Sequence, residues 1–266
     1  MSYKDVKRAF PDRKSKVIAI INQKGGVGKT TTAVNLSASL GEQGKKILVI
    51  DLDPQGNTTS GYGIEKDDLD YDVYDVILHE GPIEESIVNT VAKGVYLIPS
   101  TIQLAGAEIE LVSAKEREIK LKSCLKNIRN DFDYIFIDCP PSLGLLTVNA
   151  FVASDALLIP IQREFYALEG VSKLLGSMKM VKGSLNPDLY VFGVVMTMYD
   201  SRTTLSKQVV EEVQKNFGTT VFKTIIPRNV KLSEAPSHGL PISMYARVSK
   251  GGLAYSKLAR EVVRRG

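Results

Sequence analysis

The sequence predicts an α/β fold: a doubly wound, mostly parallel sheet with helices on both faces. Short runs rich in β-branched and apolar residues alternate with longer segments of helical period, the pattern of successive βα units. Several of the short runs, such as Ala156 to Ile161, are apolar throughout instead of alternating, as strands covered on both faces must be. A chain of 266 residues, 44% of them hydrophobic, has enough apolar material for one large core.

The first strand is expected at Val17–Asn22. A glycine-rich turn follows it, then a helix over Thr30–Gln43 with Ala33, Leu36 and Leu40 on one face and Gly44 as its stop. Further strands are expected at Lys46–Asp51, Val95–Pro99, Asp133–Asp138, Ala156–Ile161, Tyr190–Met198 and Val221–Ile226. Helical periods cover Ala107–Asn130, Tyr166–Lys182, Leu205–Phe217 and Gly252–Arg264. No linker or repeat interrupts the chain after residue 16, so residues 1–16 read as a basic flexible tail and residues 17–266 as a single domain.

Several function classes drop out at this level. The longest apolar stretches fall well short of the roughly 18 residues of a spanning helix, and the basic N-terminus lacks the apolar run of a secretory signal. Two cysteines, Cys124 and Cys139, and two histidines offer neither a disulfide framework nor a zinc-site spacing, which fits a reducing, cytoplasmic setting. The net charge of +4 is unevenly spread. Residues 1–16 carry six cations against two aspartates, and the segment from Arg228 onward carries eight against two glutamates, so the body between is acidic. Basic ends on an acidic body suggest a localised surface for a polyanion.

The stretch from Lys24 through Gly25, Gly26, Val27, Gly28, Lys29 and Thr30 to Thr31 lies between an expected strand and an expected helix. There the glycines permit close backbone approach, and successive N–H groups with the helix N-terminus can surround phosphate oxygens. Lys29 is placed to meet the β and γ phosphates, and the Thr30 hydroxyl to ligate Mg²⁺. Asp51 and Asp53 end one expected strand and Asp138 another, at the sheet edge where open α/β folds place ligand chemistry. Asp51 reads equally well as a turn-capping carboxylate or as a catalytic one.

Gln23 stands where the usual G-x-x-x-x-G-K-[ST] loop has its first glycine, and Lys24 adds a second lysine. This arrangement resembles the deviant Walker A loop of the ParA/MinD family of ATPases. The stretches Asp51–Gly63, Thr101–Leu111, Asp138–Asn149, Tyr166–Gly170 and Ile226–Pro241 are similar to the chromosomal ParA branch of that family, which extends the resemblance from about residue 17 to the C-terminus. The resemblance implies a single P-loop ATPase domain that binds ATP and Mg²⁺ and has weak intrinsic activity. It implies that Lys24 crosses to the partner's ATP in a nucleotide-sandwich homodimer, that Asp53 orients the attacking water and that Asp138 holds the metal. It also assigns adenine recognition to the loop around Pro227 and Asn229.

For the biological role, the resemblance implies chromosome or plasmid partitioning at the nucleoid: ATP-dependent binding to non-specific double-stranded DNA, ended by hydrolysis that a ParB-type centromere-binding protein stimulates. It places DNA-contacting cations at Arg202, Lys231 and, less directly, Lys250. Scattered cations of this kind suit sequence-independent backbone binding. With few residues before the first strand, an N-terminal helix-turn-helix domain is not expected. Two other branches share the loop. A MinD-like protein would use an amphipathic C-terminal helix at a membrane, but Leu253, Leu258, Ala259, Val262 and Val263 include no large aromatic anchor and read as a core helix, so no stable membrane association is expected. A nitrogenase-reductase-like protein would hold a [4Fe–4S] cluster, and Cys124 and Cys139 are not placed like its ligands.

Overall fold

A computed structural model of the chain describes residues 15–79, 81–162, 167–200 and 204–265. The elements run in the order β1 (Lys16–Ile20), α1 (Lys29–Glu42), β2 (Ile47–Asp51), α2 (Asn57–Gly61), α3 (Val73–Leu78), β3 (Val88–Asn89) and β4 (Val95–Ile98). They continue through α4 (Leu104–Glu110), α5 (Lys120–Leu125), β5 (Tyr134–Asp138), α6 (Leu145–Ala153), β6 (Ala156–Gln162), α7 (Ala167–Ser184) and β7 (Tyr190–Thr197). The last are α8 (Thr204–Phe217), α9 (Val230–Glu234), α10 (Ile242–Tyr245) and α11 (Lys250–Arg265).

The strands form one seven-stranded sheet in the order β3-β4-β2-β5-β1-β6-β7, parallel everywhere except at the short edge strand β3. The doubly wound, mostly parallel sheet expected from the sequence is therefore present. Strand β5 shows why its residues are all apolar. Ile135 and Ile137 pack into the core on one face, with Leu121, Leu146 and Phe151, while Tyr134 and Phe136 pack into the core on the other, with Leu36 and Leu258. A period of two with both faces covered leaves no position for a polar residue until Asp138 at the strand's end. The last helix, α11, closes the second layer: Tyr255, Leu258, Ala259 and Val262 are buried, in keeping with the core-helix reading of this segment.

Two expected elements differ. The helix expected at Ala107–Asn130 is broken: it ends in a 3-10 turn at Leu111–Ser113, Ala114 is extended, Glu116 takes a left-handed φ of 52°, and the chain restarts at α5. The strand expected at Val221–Ile226 makes only isolated parallel bridges, Val194 with Val221 and Tyr199 with Pro227. Phe222 N and Ile226 N still donate to the Val194 and Met196 carbonyls of β7 (both 2.8 Å), but between them Thr224 N donates to the Glu261 carboxylate (3.0 Å), as does Lys223 N (2.8 Å). The sequence reading also omits α2, α3, α6, α9, α10 and β3. All but α6 are too short to show a period, and α6 is almost wholly apolar, with no polar face to reveal one.

Candidate nucleotide-binding site

The loop after β1 is held from both sides. Asn22 donates to the Pro160 carbonyl of the β6 strand (2.8 Å) and its Oδ1 accepts from Lys24 N (3.0 Å). Further along, the Val27 carbonyl accepts from Thr197 Oγ1 at the end of β7 (2.7 Å). Gly26 and Gly28 take left-handed φ values of 73° and 90°, which explains glycine at both positions. Gly28 is the N-cap of α1 and supplies no side-chain cap, so the first-turn N–H groups are left to a ligand.

The two lysines of the loop sit differently. Lys29 is buried, 7% exposed, and its Nζ donates to the Lys24 carbonyl oxygen (3.3 Å); burial lowers its pKa against the opposing pull of Asp138. Lys24 is exposed at the rim. Thr30 donates to Asp138 Oδ2 (2.8 Å), and so does Thr58 of α2 (2.8 Å). Asp138 Oδ1 is buried with no hydrogen-bond partner. An orphaned carboxylate oxygen beside a threonine hydroxyl fits a hard cation that takes oxygen ligands, as Mg²⁺ does. No cluster of three or more His, Cys, Asp or Glu suited to a metal occurs among the described residues, so such an ion would complete its shell with phosphate and water.

Asp51 serves the backbone. It is fully buried and accepts from Thr59 N and Thr59 Oγ1 through Oδ2 (both 2.8 Å) and from Asp53 N through Oδ1 (3.3 Å). Of the two readings open from the sequence, the hydrogen bonds favour the turn-capping one. Burial, then the neighbouring Asp138, pushes Asp51 up to about 7; burial likewise pushes Asp138 up to about 6, against the hydroxyls of Thr30 and Thr58. Asp53 is half-buried, and its carbonyl accepts from Ser100 Oγ (2.9 Å).

Two clefts meet over the loop. One, of about 420 Å³, is lined by Thr31, Gln162, Pro227, Asn229 and Tyr255 among others; the second, of about 520 Å³, is lined by Gly25, Gly26, Lys29, Thr30, Asp53 and Asn57 among others. They share Gly28, Thr31, Met198 and Pro236, so a continuous trench runs from Asp53 to Pro227. The loop that lines it follows β1, which lies between β5 on one side and β6 on the other, where the chain's winding reverses. Asn229 also caps α9, accepting from Lys231 N (2.8 Å), which leaves its amide nitrogen for a ligand.

Of the cations expected to meet DNA, Arg202 lies outside the described residues. Lys231 is exposed, pairs with Glu234 (2.8 Å) and lies over the Tyr245 ring (5.5 Å); the Glu234 hydrogen bond raises its pKa. Lys250 is exposed at the start of α11. The sequence reading missed Asn22, Thr58, Thr59 and Ser100. Thr58 and Thr59 can each donate through a hydroxyl, but nothing in their spacing pointed to the carboxylates of Asp138 and Asp51.

The sequence profile of a family described as AAA domain matches residues 15–191. The chain is 55% identical to the sporulation initiation inhibitor protein Soj of Bacillus subtilis (strain 168), over 94% of this chain and 99% of that protein. It is 49% identical to the chromosome-partitioning ATPase Soj of Treponema pallidum (strain Nichols), over 94% and 98%. Among solved structures it resembles cobyrinic acid a,c-diamide synthase from Mycobacterium smegmatis with bound ATP analogue and magnesium, with a TM-score of 0.84, 39% identity and coverage of 94% and 95%. It also resembles the septum site-determining protein MinD of Pyrococcus horikoshii OT3 complexed with Mg-ADP, with a TM-score of 0.78, 27% identity and coverage of 94% and 96%. The chain belongs to the Soj/ParA family of chromosome-partitioning ATPases.

Proposed function

We propose that this ATPase is a nucleotide-gated DNA-binding switch that partitions a chromosome or plasmid. Two chains close face to face on two ATP molecules, the dimer binds double-stranded DNA without regard to sequence, and hydrolysis, stimulated by a ParB-type partner, releases it at the nucleoid. The observation that carries the reading is the division of labour between Lys29, buried in the cleft, and Lys24, exposed on its rim. A buried lysine serves the chain's own triphosphate, and an exposed one lies where a facing subunit can meet it.

In this mechanism the loop N–H groups and Lys29 hold the phosphates. The Thr30 hydroxyl and the Asp138 carboxylate would hold the metal, directly or through water. Mg²⁺, when bound, offsets charge on the β and γ phosphates. Asp53, set at the cleft wall by Ser100 and the turn to Gly56, orients the water that attacks the γ-phosphorus in line with the leaving ADP oxygen. Lys24 from the facing chain meets charge developing on the bridging oxygen. Pro227 and Asn229 at the far end of the trench receive the adenine. Joining two chains doubles the cations offered to DNA, so the dimer binds far more tightly than either chain alone.

Light scattering with ATP and with ADP tests the reading. The wild type is expected to be dimeric only with ATP, and Lys24→Ala to stay monomeric. A Lys24→Ala protein that dimerises normally on ATP would remove the trans role of this residue.

A further inference from the structure

We propose that the exposed face of α11 is itself a DNA-backbone surface, extending the contact that begins at Lys231 and Lys250 along the whole helix. The inference rests on the DNA-binding reading above and adds a set of residues that reading does not use. At 3.6 residues per turn, Lys250, Lys257, Arg260 and Arg264 fall within an arc of roughly 80°, and at 1.5 Å per residue they span ~21 Å. All four side chains are exposed, and none makes an ion pair among the described residues.

A single carboxylate borders the stripe. Glu261 is the only carboxylate of α11, and it is committed to the backbone N–H groups of Lys223 and Thr224 and to Arg265 (3.3 Å). Partial burial pushes its pKa up, yet those donors hold it below the usual carboxylate value, so it stays ionised and turned to that loop. A shallow groove of about 360 Å³ is lined by the cations Lys223, Lys257, Arg260, Arg264 and Arg265, with Glu261 as its one carboxylate. The start of α11 packs on the element that carries Lys231: Gly251, the second residue of α11, lies against Leu232 of α9.

The occupant follows from what the helix has already used. An interfacial membrane helix needs a free apolar face. Here Tyr255, Leu258, Ala259 and Val262 lie in the core, and of the apolar residues only Leu253, 51% exposed, lies among the cations. A straight row of cations broken by a single leucine fits the regularly spaced phosphates of a duplex, which need charge and reach but no base reading.

The test is the salt dependence of duplex binding by the full chain with a non-hydrolysable ATP analogue, for wild type and Lys257→Gln/Arg260→Gln/Arg264→Gln. The three residues lie outside the nucleotide cleft, so unchanged basal ATPase activity is the control for folding. The slope of log K against log salt is expected to become shallower by roughly 2 to 3 for each chain engaged, with at least about a ten-fold loss of affinity near 100 mM salt. Wild-type binding with an unchanged slope in the variant overturns this inference and leaves the DNA reading intact. No binding by wild type overturns both. Unchanged DNA binding together with lost binding to vesicles containing anionic phospholipid overturns it in favour of a lipid surface.

Discussion

Asp51 and Asp138 end adjacent parallel strands as register partners, Asp51 on β2 opposite Asp138 on β5, and both are fully buried. Two carboxylates side by side in the interior cannot both ionise cheaply. Their hydrogen bonds assign them different work: Asp51 braces α2 through Thr59, and Asp138 accepts from Thr30 and Thr58 through Oδ2 while its Oδ1 is buried without a donor.

Stability without nucleotide is expected to depend on pH through this pair. In the folded chain the two groups titrate between about 6 and 7, whereas an unfolded aspartate titrates near 4. Between those limits the folded state holds more protons than the unfolded state, so stability falls as pH rises through the window and levels off above it. Urea melts at pH 5.5 and 7.5 check this, and Asp51→Asn is expected to reduce the difference. Equal or greater stability at pH 7.5 in the wild type would contradict it.

Thr58 is expected to tune the metal without touching it. Thr58→Val removes one of two donors to Asp138 Oδ2 and frees that carboxylate to rotate. The Mg²⁺ concentration giving half-maximal ATPase activity should rise about ten-fold. Lys29→Ala, by contrast, is expected to lower turnover by about a hundred-fold or more at any Mg²⁺ concentration. A titration of both variants separates the two effects.

Asp53→Ala is expected to bind ATP and dimerise while hydrolysing at least about a hundred-fold more slowly, since the side chain acts on the water and not on the phosphates. Filter binding of ATP alongside release of inorganic phosphate measures both. Loss of ATP binding in step with hydrolysis would place Asp53 in binding.

Gly193 marks a packing constraint. A Cβ there would overlap the Phe222 ring, which fills the space beside β7. Gly193→Ala should cost roughly 1–3 kcal/mol, read as a lower urea midpoint. Paired with Phe222→Leu, which opens that space, the same substitution should cost less.

The strands and the phosphate loop were legible because each has a local signature: continuous apolar runs for β5 and β6, and the glycine and lysine spacing from Lys24 to Thr30. What escaped depends on residues far apart in the chain. The Val221–Ile226 run has the composition of a strand, and Glu261, 37 positions from Thr224, takes the N–H group that lies between the two still bonded to β7. Thr58 and Ser100 likewise become site residues only once the sheet brings them to Asp138 and Asp53. The expected helix from Ala107 failed at Glu116, whose left-handed backbone no periodicity reveals.

The most direct measurement is binding of the wild-type protein to non-specific duplex DNA at low salt with ATP, with ADP and with no nucleotide. The account predicts tight, salt-sensitive binding with ATP and at least about a ten-fold weaker interaction in the other two states. Equal affinity in all three, or none with ATP, would contradict the nucleotide-gated switch.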